Sequence, residues 1–535
     1  MRSYQSHLQA TQSAGEPLVA NRKPVLRSSA IFPVMHTNAY SSKVIFMGYW
    51  LLKRNIREVG LLYTLRNRVG TLLSRKYVLI DSAKAWSVQM SEFTDLLQQL
   101  DEPSDGPAEN FTGSLELEIF STQDLVFPYP AFVLVYFNEN ASSVVHTVGR
   151  VYNDIEDLQQ NNEYQVSESG FDIYGRDGLS PFLSFTNGPL PAEEPKVTYE
   201  IVDAHHHATS GTFALPPLKP YETVFLYLKE YLDLQTLLGD EPGMIRFGHN
   251  FSGFFPRFLV GNLDQTAQSV SITHSYYDSS GVADNRAYWP RQDDRFLDSS
   301  TSIPLYLTDG FFTRLVVYPI FSPSDFTLSF RFFDADGQFL GEALNAYQFH
   351  SAEQQYIQID LGDVAQQVGV ATEIAKTAQL IAHWSDATRI PTRLKFGLNV
   401  GQLGQLSNLP SNVCFAPQVG NPKILDKPGT FKWAPFVNVG NSEVALTNSA
   451  PLQEYDRPAN VVLSFYREAD ETVLERTGVV PPNGLYTIRL ADEEELRHFF
   501  GDASGWLTAR ADNPFLNGYY FDFHPNGAVA ADHLF

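Results

Sequence analysis

The feature that most constrains this chain is a succession of short elements that recurs along it. Near the C-terminus, two strand-like runs, Val461 to Tyr466 and Leu485 to Leu490, flank the turn-forming Pro481-Pro482-Asn483-Gly484. A short amphipathic helix pattern follows and ends at Gly501, and a further strand-like run comes at Tyr519 to Phe521. Short strands joined by turns, with only one brief helix, are typical of β-sandwiches rather than of alternating βαβ units.

The same order of elements appears three more times upstream. In the second unit, for example, the run Val224 to Leu228 precedes a short helix pattern that ends at Gly239. A chain of 535 residues is also too long for a single hydrophobic core. We therefore predict a mainly β fold of tandem β-sandwich domains, each with one short helix and a core of its own. The predicted boundaries are a polar N-terminal arm at 1–30, a basic unit one at 31–152, and units two, three and four at 171–285, 300–403 and 430–535.

Composition narrows the class of protein. No apolar run approaches the ~20 residues of a membrane helix, and the polar stretch from Ser3 to Asn21 lacks the apolar region of a secretion signal. We therefore expect a cytoplasmic protein without a membrane span. The single cysteine, Cys414, excludes an intrachain disulfide and a multi-cysteine metal site. Its neighbours Val413 and Phe415 predict a buried thiol.

Charge is distributed unevenly along the chain. Residues 1–84 contain 13 Lys/Arg and 3 Asp/Glu, a formal charge of +10. Because the whole chain carries −23, the remaining residues carry −33. The cations alternate with aromatic residues such as Tyr63 and Tyr77. We predict that they bind acidic surfaces, either other units of this chain, a neighbouring copy or another acidic protein, because −33 would repel nucleic acid. These predicted interaction residues are Lys53, Arg54, Arg57, Arg66, Arg68, Arg75 and Lys76.

A cluster of three consecutive histidines follows one of the strand-like runs. The sequence from Asp203 to His207 resembles the D-x-H-x-H motif of metal-dependent amidohydrolases, and the resemblance implies that His205 and His207 bind a divalent metal that activates water. The alternating strands and helices of that family's barrel do not follow in this sequence. We therefore interpret the cluster as an exposed loop between two strands, with His205 and His207 as candidate metal ligands.

One histidine also lies near the end of three of the four units. These are His146, His274 and His533, and the third unit has no equivalent near Cys414. Their matching positions predict a structural hydrogen-bonding role in the sandwich, with ligand binding as the alternative. Phosphate-binding loops and the G-x-S-x-G and H-E-x-x-H motifs are absent, so we predict no catalytic residues and no cofactor.

The second and third units resemble the small β-sandwich domains of the sensory-rhodopsin-transducer type. The residues that carry this resemblance are Leu183 to Asn187, Val197 to Val202 and Phe225 to Leu228. The resemblance implies non-enzymatic domains that self-associate. We therefore expect a non-catalytic structural or protein-binding subunit of a larger assembly, whose partners are protein subunits that include copies of itself. The alternatives are a sugar- or small-ligand-binding module and a metal-dependent hydrolase that uses the cluster at 203–207.

Overall fold

The computed structural model describes residues 24–98, 110–126, 131–146, 149–151, 168–277, 288–319, 322–351, 355–392, 394–407 and 409–535. Most of the predicted N-terminal arm, at 1–23, therefore lies outside the described residues. So do the predicted end of unit one, at 152, and that of unit two, at 278–285. Within the described residues, no helix is both long and apolar enough to span a bilayer.

Unit one contains eight antiparallel strands. They lie in the order β4-β3-β6-β1 and, across a β1–β2 pair, β2-β7-β8, with β5 also paired to β2. Short helices occupy Tyr49–Arg54 and Thr94–Gln98. The strands are β1 (Arg27–His36), β2 (Ser41–Met47), β3 (Val59–Asn67), β4 (Leu72–Ile80), β5 (Ala85–Gln89), β6 (Phe111–Phe120), β7 (Val133–Phe137) and β8 (Ser142–His146). The two-residue strands β9 (Arg150–Val151) and β10 (Glu168–Ser169) follow.

Unit two forms two four-stranded sheets, ordered β11-β16-β13-β14 and β15-β12-β18-β19. Its helix, Leu234–Leu238, is capped by Asp233, whose side chain accepts from the Thr236 amide. The strands are β11 (Phe171–Tyr174), β12 (Leu179–Thr186), β13 (Lys196–Val202), β14 (Ala208–Ala214), β15 (Thr223–Tyr227), β16 (Pro242–His249), β17 (Phe254–Phe255), β18 (Leu259–Asp264) and β19 (Ser269–His274). Two short strands, β20 (Tyr276–Tyr277) and β21 (Tyr288–Trp289), come before unit three.

Unit three has a sheet in the order β25-β24-β27-β22-β31 and a second in the order β26-β23-β29-β30. Its helix is Leu361–Gln367. The strands are β22 (Ser299–Pro304), β23 (Phe311–Val317), β24 (Phe326–Phe333), β25 (Phe339–Phe349), β26 (Ile357–Asp360), β27 (Thr377–Trp384), β28 (Ile390–Pro391), β29 (Phe396–Gln402), β30 (Val413–Phe415) and β31 (Gln418–Val419). Cys414 is buried in β30, as its neighbours predict.

Unit four forms sheets in the order β32-β37-β34-β35 and β36-β33-β38-β39, with the helix Glu494–Phe500. Its strands are β32 (Thr430–Phe436), β33 (Asn441–Asn448), β34 (Ala459–Arg467), β35 (Val473–Val480), β36 (Leu485–Arg489), β37 (Gly505–Ala511), β38 (Leu516–Phe523) and β39 (Val529–His533). Along β35, exposed and half-buried residues alternate, as expected for a strand with one face toward solvent.

All four units share one strand order. In each, the first, third, fourth and sixth main strands are antiparallel neighbours, and so are the second, fifth, seventh and eighth. Unit three adds β31 to its first sheet, and in unit one the β1–β2 pair joins the two sets of strands. The predicted fold class, mainly β with tandem sandwiches and short helices, is confirmed. Unit one carries one helix more than predicted, at Tyr49–Arg54.

The apolar run from Val44 to Leu52 predicts a strand, and the extra helix corrects that prediction. The run from Val44 to Leu52 is apolar throughout, but strand β2 ends at Met47 and the helix begins at Tyr49. Tyr49 and Trp50 are both buried. The Tyr49 ring stacks on Trp433 of unit four, with centroids 5.0 Å apart. Contacts between units therefore decide this local structure.

The four units contact one another in a closed ring. The Arg66 guanidinium of unit one lies over Tyr221 of unit two. Unit two meets unit three where Ser271 donates to the Pro410 carbonyl, and unit three meets unit four where Tyr306 donates to Glu443. Units four and one meet where Ser142 donates to Asp522, which closes the ring. The apolar cores are not separate, since one cluster joins unit one, unit four and part of unit two, including Trp50, Trp506 and Ile272. The expectation of a separate core in every unit is therefore wrong.

Candidate functional site

The last strands of the units face one another at the centre of the ring. Strand β8 of unit one contacts both β19 of unit two and β39 of unit four. The histidine that ends each of these strands therefore reaches the same place, so His146, His274 and His533 meet although more than a hundred residues separate them in the chain.

These three imidazoles form a compact cluster with one carboxylate. The ring centroid of His146 lies 4.7 Å from that of His274 and 4.7 Å from that of His533. Nδ1 of His146 lies 2.8 Å from Oδ2 of Asp532, and Nε2 of His146 lies 3.4 Å from Nε2 of His274. One potential ligand atom from each of His146, Asp532 and His533 lies within 4.8 Å of the other two. We call these four residues the histidine cluster.

Backbone carbonyls fix the protonated nitrogen of two of the rings. Nδ1 of His274 lies 2.9 Å from the Ser275 carbonyl oxygen, and Nδ1 of His533 lies 3.1 Å from that of Leu534. A carbonyl oxygen can only accept a hydrogen bond, so both Nδ1 atoms donate. The Nε2 atom of each neutral ring is then left with a lone pair.

Burial keeps two of the imidazoles neutral. It lowers the pKa of His533 to about 3 and the pKa of His274 well below its usual range, and the positive charge of Arg257 acts on His274 in the same direction. Burial alone would raise the pKa of Asp532, but the charge of His146 and its hydrogen bond outweigh that effect and lower it. The cluster therefore combines two neutral imidazoles, those of His274 and His533, with an ionised carboxylate.

A serine, a histidine and an aspartate also meet between units one and four. The Ser142 hydroxyl donates to Oδ2 of Asp522 at 2.7 Å, and Nε2 of His524 accepts from the Ser142 amide at 2.9 Å. In a catalytic triad the carboxylate binds the opposite ring nitrogen from the serine, whereas Asp522 lies 3.4 Å from this same Nε2. All three residues are buried. The arrangement joins the two units and provides no nucleophile accessible to a substrate.

Units two and three share a buried carboxylate. Asp172 on β11 accepts hydrogen bonds from the hydroxyls of Tyr318 and Tyr356 and from the side-chain amide of Asn399, all in unit three. Burial raises the pKa of Asp172 to about 6, although these hydrogen bonds act in the opposite direction. A fully enclosed carboxylate with this many donors is a structural contact between two units.

The three adjacent histidines lie at the tight turn between β13 and β14. Both the His205 and His207 amides donate to Oδ1 of Asp203 at 2.8 Å, and Nδ1 of His207 lies 3.0 Å from Oδ2 of the same residue. The rings of His205 and His207 are exposed, with centroids 6.2 Å apart. Asp203 therefore closes a hairpin turn, and the sheet around it lacks the barrel that the amidohydrolase motif requires.

Some residues of the basic segment contact other units, and the others lie at exposed or half-buried positions. The Arg66 guanidinium lies 4.0 Å from the Tyr221 ring centroid and forms a 2.8 Å ion pair with Glu116. The Lys53 ammonium lies 4.6 Å from the Trp433 ring centroid of unit four. The remaining members lie at the surface, with Arg54 half-buried and Arg57, Arg68, Arg75 and Lys76 exposed.

One buried lysine has no counterpart among the predicted residues. The Lys43 ammonium donates to the Val437 carbonyl at 3.2 Å and to the Ser504 hydroxyl at 2.8 Å, both in unit four. Burial lowers the pKa of Lys43. The sequence around it, a strand-like run that starts at Ser41, carries no signal that its ammonium enters another unit.

Comparisons with known proteins identify no family for this chain. No protein-family model matches the chain, and no curated protein matches it. Dimeric latent PorU from Porphyromonas gingivalis matches 88% of this chain at 10% identity and a TM-score of 0.12, and the chain spans 41% of that protein. The FN1–FN3 domains of chicken CNTN1 match 69% of this chain and 98% of their own length, at 8% identity and a TM-score of 0.08. Neither likeness bears on fold or function, and the resemblance to sensory-rhodopsin-transducer-type domains stays a prediction.

Proposed function

We propose that this protein is a non-catalytic structural subunit that associates with further copies of itself through the outer edge of unit one. The observation that carries the proposal is the exposed, basic and apolar edge strand β4. Its contact residues are Leu72, Arg75, Lys76, Tyr77 and Leu79, which we call the β4 patch.

The β4 patch combines features that favour a protein contact. Leu72, Tyr77 and Leu79 are 48%, 63% and 43% exposed, respectively. Among the described residues, β4 pairs only with β3, so one edge of the strand keeps unpaired backbone groups. Exposed apolar edges of this kind are sites of strand addition and subunit contact.

Charge supports a second copy as the partner. Residues 1–84 carry +10 and the remainder carries −33, so the basic β4 patch of one copy can face acidic residues of another. Within one chain, Lys53 and Arg66 already make cation–π contacts with aromatic rings of units four and two. Arg75 and Lys76 lie on β4, which pairs with the strand that carries Arg66, and both are exposed.

The mass of the purified chain in solution tests this proposal. We expect light scattering at low salt to show particles larger than one chain and at high salt to show a smaller mean mass, because salt screens surface charges beyond ~10 Å at 0.1 M. The double variant Arg75→Glu/Lys76→Glu is expected to stay monomeric at low salt.

The matched control reverses two exposed lysines elsewhere. Lys423 and Lys427 lie between units three and four, and Lys423→Glu/Lys427→Glu changes the net charge by the same amount. This variant should associate like the wild type. A monomeric wild type at every salt concentration, or equal loss of association in both double variants, would contradict the proposal.

A further inference from the structure

We propose that the histidine cluster, His146, His274, His533 and Asp532, is a binding site for a divalent transition metal ion of the zinc class, which joins units one, two and four. Each of these units supplies one imidazole, and unit four also supplies the carboxylate. This site is separate from the β4 patch and does not depend on the proposed self-association.

The hydrogen bonds of the rings prepare them as ligands. Nδ1 of His274 and of His533 donate to backbone carbonyls, and Nδ1 of His146 faces the Asp532 carboxylate. Histidines that bind metals usually donate their second ring nitrogen to a carbonyl or a carboxylate, which fixes the tautomer and directs the other nitrogen to the metal. All three rings of the cluster follow this pattern.

The contact between two of the rings needs a positive charge. With Nδ1 donating in both, the Nε2 atoms of His146 and His274 present lone pairs to each other across 3.4 Å. Two acceptors at this distance repel, unless a proton or a metal ion lies between them. Neutral imidazole nitrogens are preferred ligands of Zn²⁺, Cu²⁺, Ni²⁺ and Co²⁺.

The surrounding charges set what the site can hold. Arg257 acts electrostatically on His274, and Lys395 acts on His533. Both cations oppose a bound cation. The carboxylate of Asp532 offsets that repulsion, so the affinity for metal should depend on it.

The enclosure of the site suits a structural metal. His274 is 2% and Asp532 5% exposed, while His146 and His533 are half-buried. An ion bound here would be held among strands from three units. A metal in this position would link β8, β19 and β39 and would stabilise the ring of units by its binding free energy.

Metal content and Co²⁺ absorption of the full-length, untagged chain test the proposal. After removal of metals with EDTA and dialysis, we expect one Zn²⁺ or Co²⁺ to bind per chain, with Co²⁺ giving the visible bands of a nitrogen-ligated site. Zn²⁺ should raise the thermal midpoint of unfolding, and EDTA should reverse the rise. No binding of either ion by the wild-type chain would overturn the proposal without reference to any variant.

Three substitutions locate the site. His533→Gln should abolish binding of one equivalent, and Asp532→Asn should weaken it by about 10- to 100-fold, as loss of a carboxylate behind a metal ligand does in other sites. The exposed histidines supply the matched control, since His205→Ala/His207→Ala should bind one equivalent like the wild type. If the control loses the metal and folded His533→Gln retains it, the ion belongs to the turn at 203–207 and the proposal is wrong. Circular dichroism verifies that each variant is folded.

Discussion

At the scale of single residues, buried charges with several partners have the largest effect on how stability depends on pH. Asp298 is an example, because its side chain is 1% exposed and lies 2.6 Å from the Arg291 guanidinium. Its carboxylate also accepts a hydrogen bond from the Trp384 amide at 2.9 Å and lies 3.1 Å from Nδ1 of His383. Burial by itself would raise the pKa of Asp298, but these contacts outweigh it and lower the pKa to about 2.

The lowered pKa of Asp298 predicts a loss of stability in acid. Because the folded-state pKa lies below the ordinary value of 3.8, the ionised group stabilises the fold above pH 3.8, and this contribution disappears as the pH falls toward 2. The difference corresponds to about 2 kcal/mol. We expect Asp298→Asn to lower the urea midpoint at pH 7. The difference in midpoint between variant and wild type should narrow as the pH falls from about 4 toward about 2, the range between the ordinary and the lowered pKa of Asp298.

An exposed carboxylate nearby provides the control for this prediction. Asp294 lies in the same loop and is exposed, so Asp294→Asn should change the urea midpoint little at either pH. A gap between Asp298→Asn and the wild type that is equally large in acid and at pH 7 would show that the ionised group is not the source of the stability.

The sequence predicts the position of a residue within its own unit better than it predicts contacts between units. The matching positions of His146, His274 and His533 at the ends of their units are visible in the sequence, because the units repeat. Their meeting at one point is not, since it depends on how β8, β19 and β39 pack. For the same reason, no local pattern indicated that Lys43 or Asp172 is buried against another unit.

At the scale of elements, two helices end in the same way in different units. Helix Leu234–Leu238 stops at Gly239 with φ 61° and ψ −135°, and helix Glu494–Phe500 stops at Gly501 with φ 59° and ψ −135°. Only glycine adopts this combination of angles without strain. A Cβ atom at either position would meet no other atom within 4 Å, so any cost of alanine there comes from the backbone alone.

Alanine at these helix ends should therefore destabilise without causing a clash. We expect Gly239→Ala and Gly501→Ala each to cost about 1 to 3 kcal/mol, the range for a residue held in a disallowed conformation. Urea unfolding measures the effect. Asp502→Ala, at the exposed neighbouring residue, should stay within about 0.5 kcal/mol of the wild type. Equal midpoints for Gly501→Ala and Asp502→Ala would contradict the conformational explanation.

Strands and helices whose apolar residues follow the period of one buried face could be predicted from the sequence. Elements whose structure depends on contacts with another unit could not. Strands such as β34 and the helix end at Gly239 follow from local periodicity and capping. The apolar run from Val44 to Leu52 instead divides into a strand and a helix, because Tyr49 packs on Trp433 of unit four. The segment from Trp86 onward begins as strand β5, since Trp86 pairs with Phe46, although its spacing of apolar residues predicts a helix.

At the scale of the whole molecule, four repeats of one strand order close into a ring. The repeat is visible in the sequence. Closure of the ring depends on specific contacts between distant units, such as the Ser142–Asp522 hydrogen bond and the stacking of Tyr49 on Trp433. The Val437 carbonyl and the rings of Trp433 and Tyr221, all in other units, contact Lys43, Lys53 and Arg66, respectively, which are cations of unit one. The β4 patch faces outward.

Hydrogen–deuterium exchange of the four equivalent edge strands tests the central claim, association through β4, most directly. The strands β14, β25 and β35 hold the same position in units two, three and four and act as internal controls. Between high and low salt, we predict that amides of β4 gain protection at low salt and that those of the other three strands change little. Unchanged exchange in β4 while the particle mass increases, or an equal gain in all four strands, would contradict the claim.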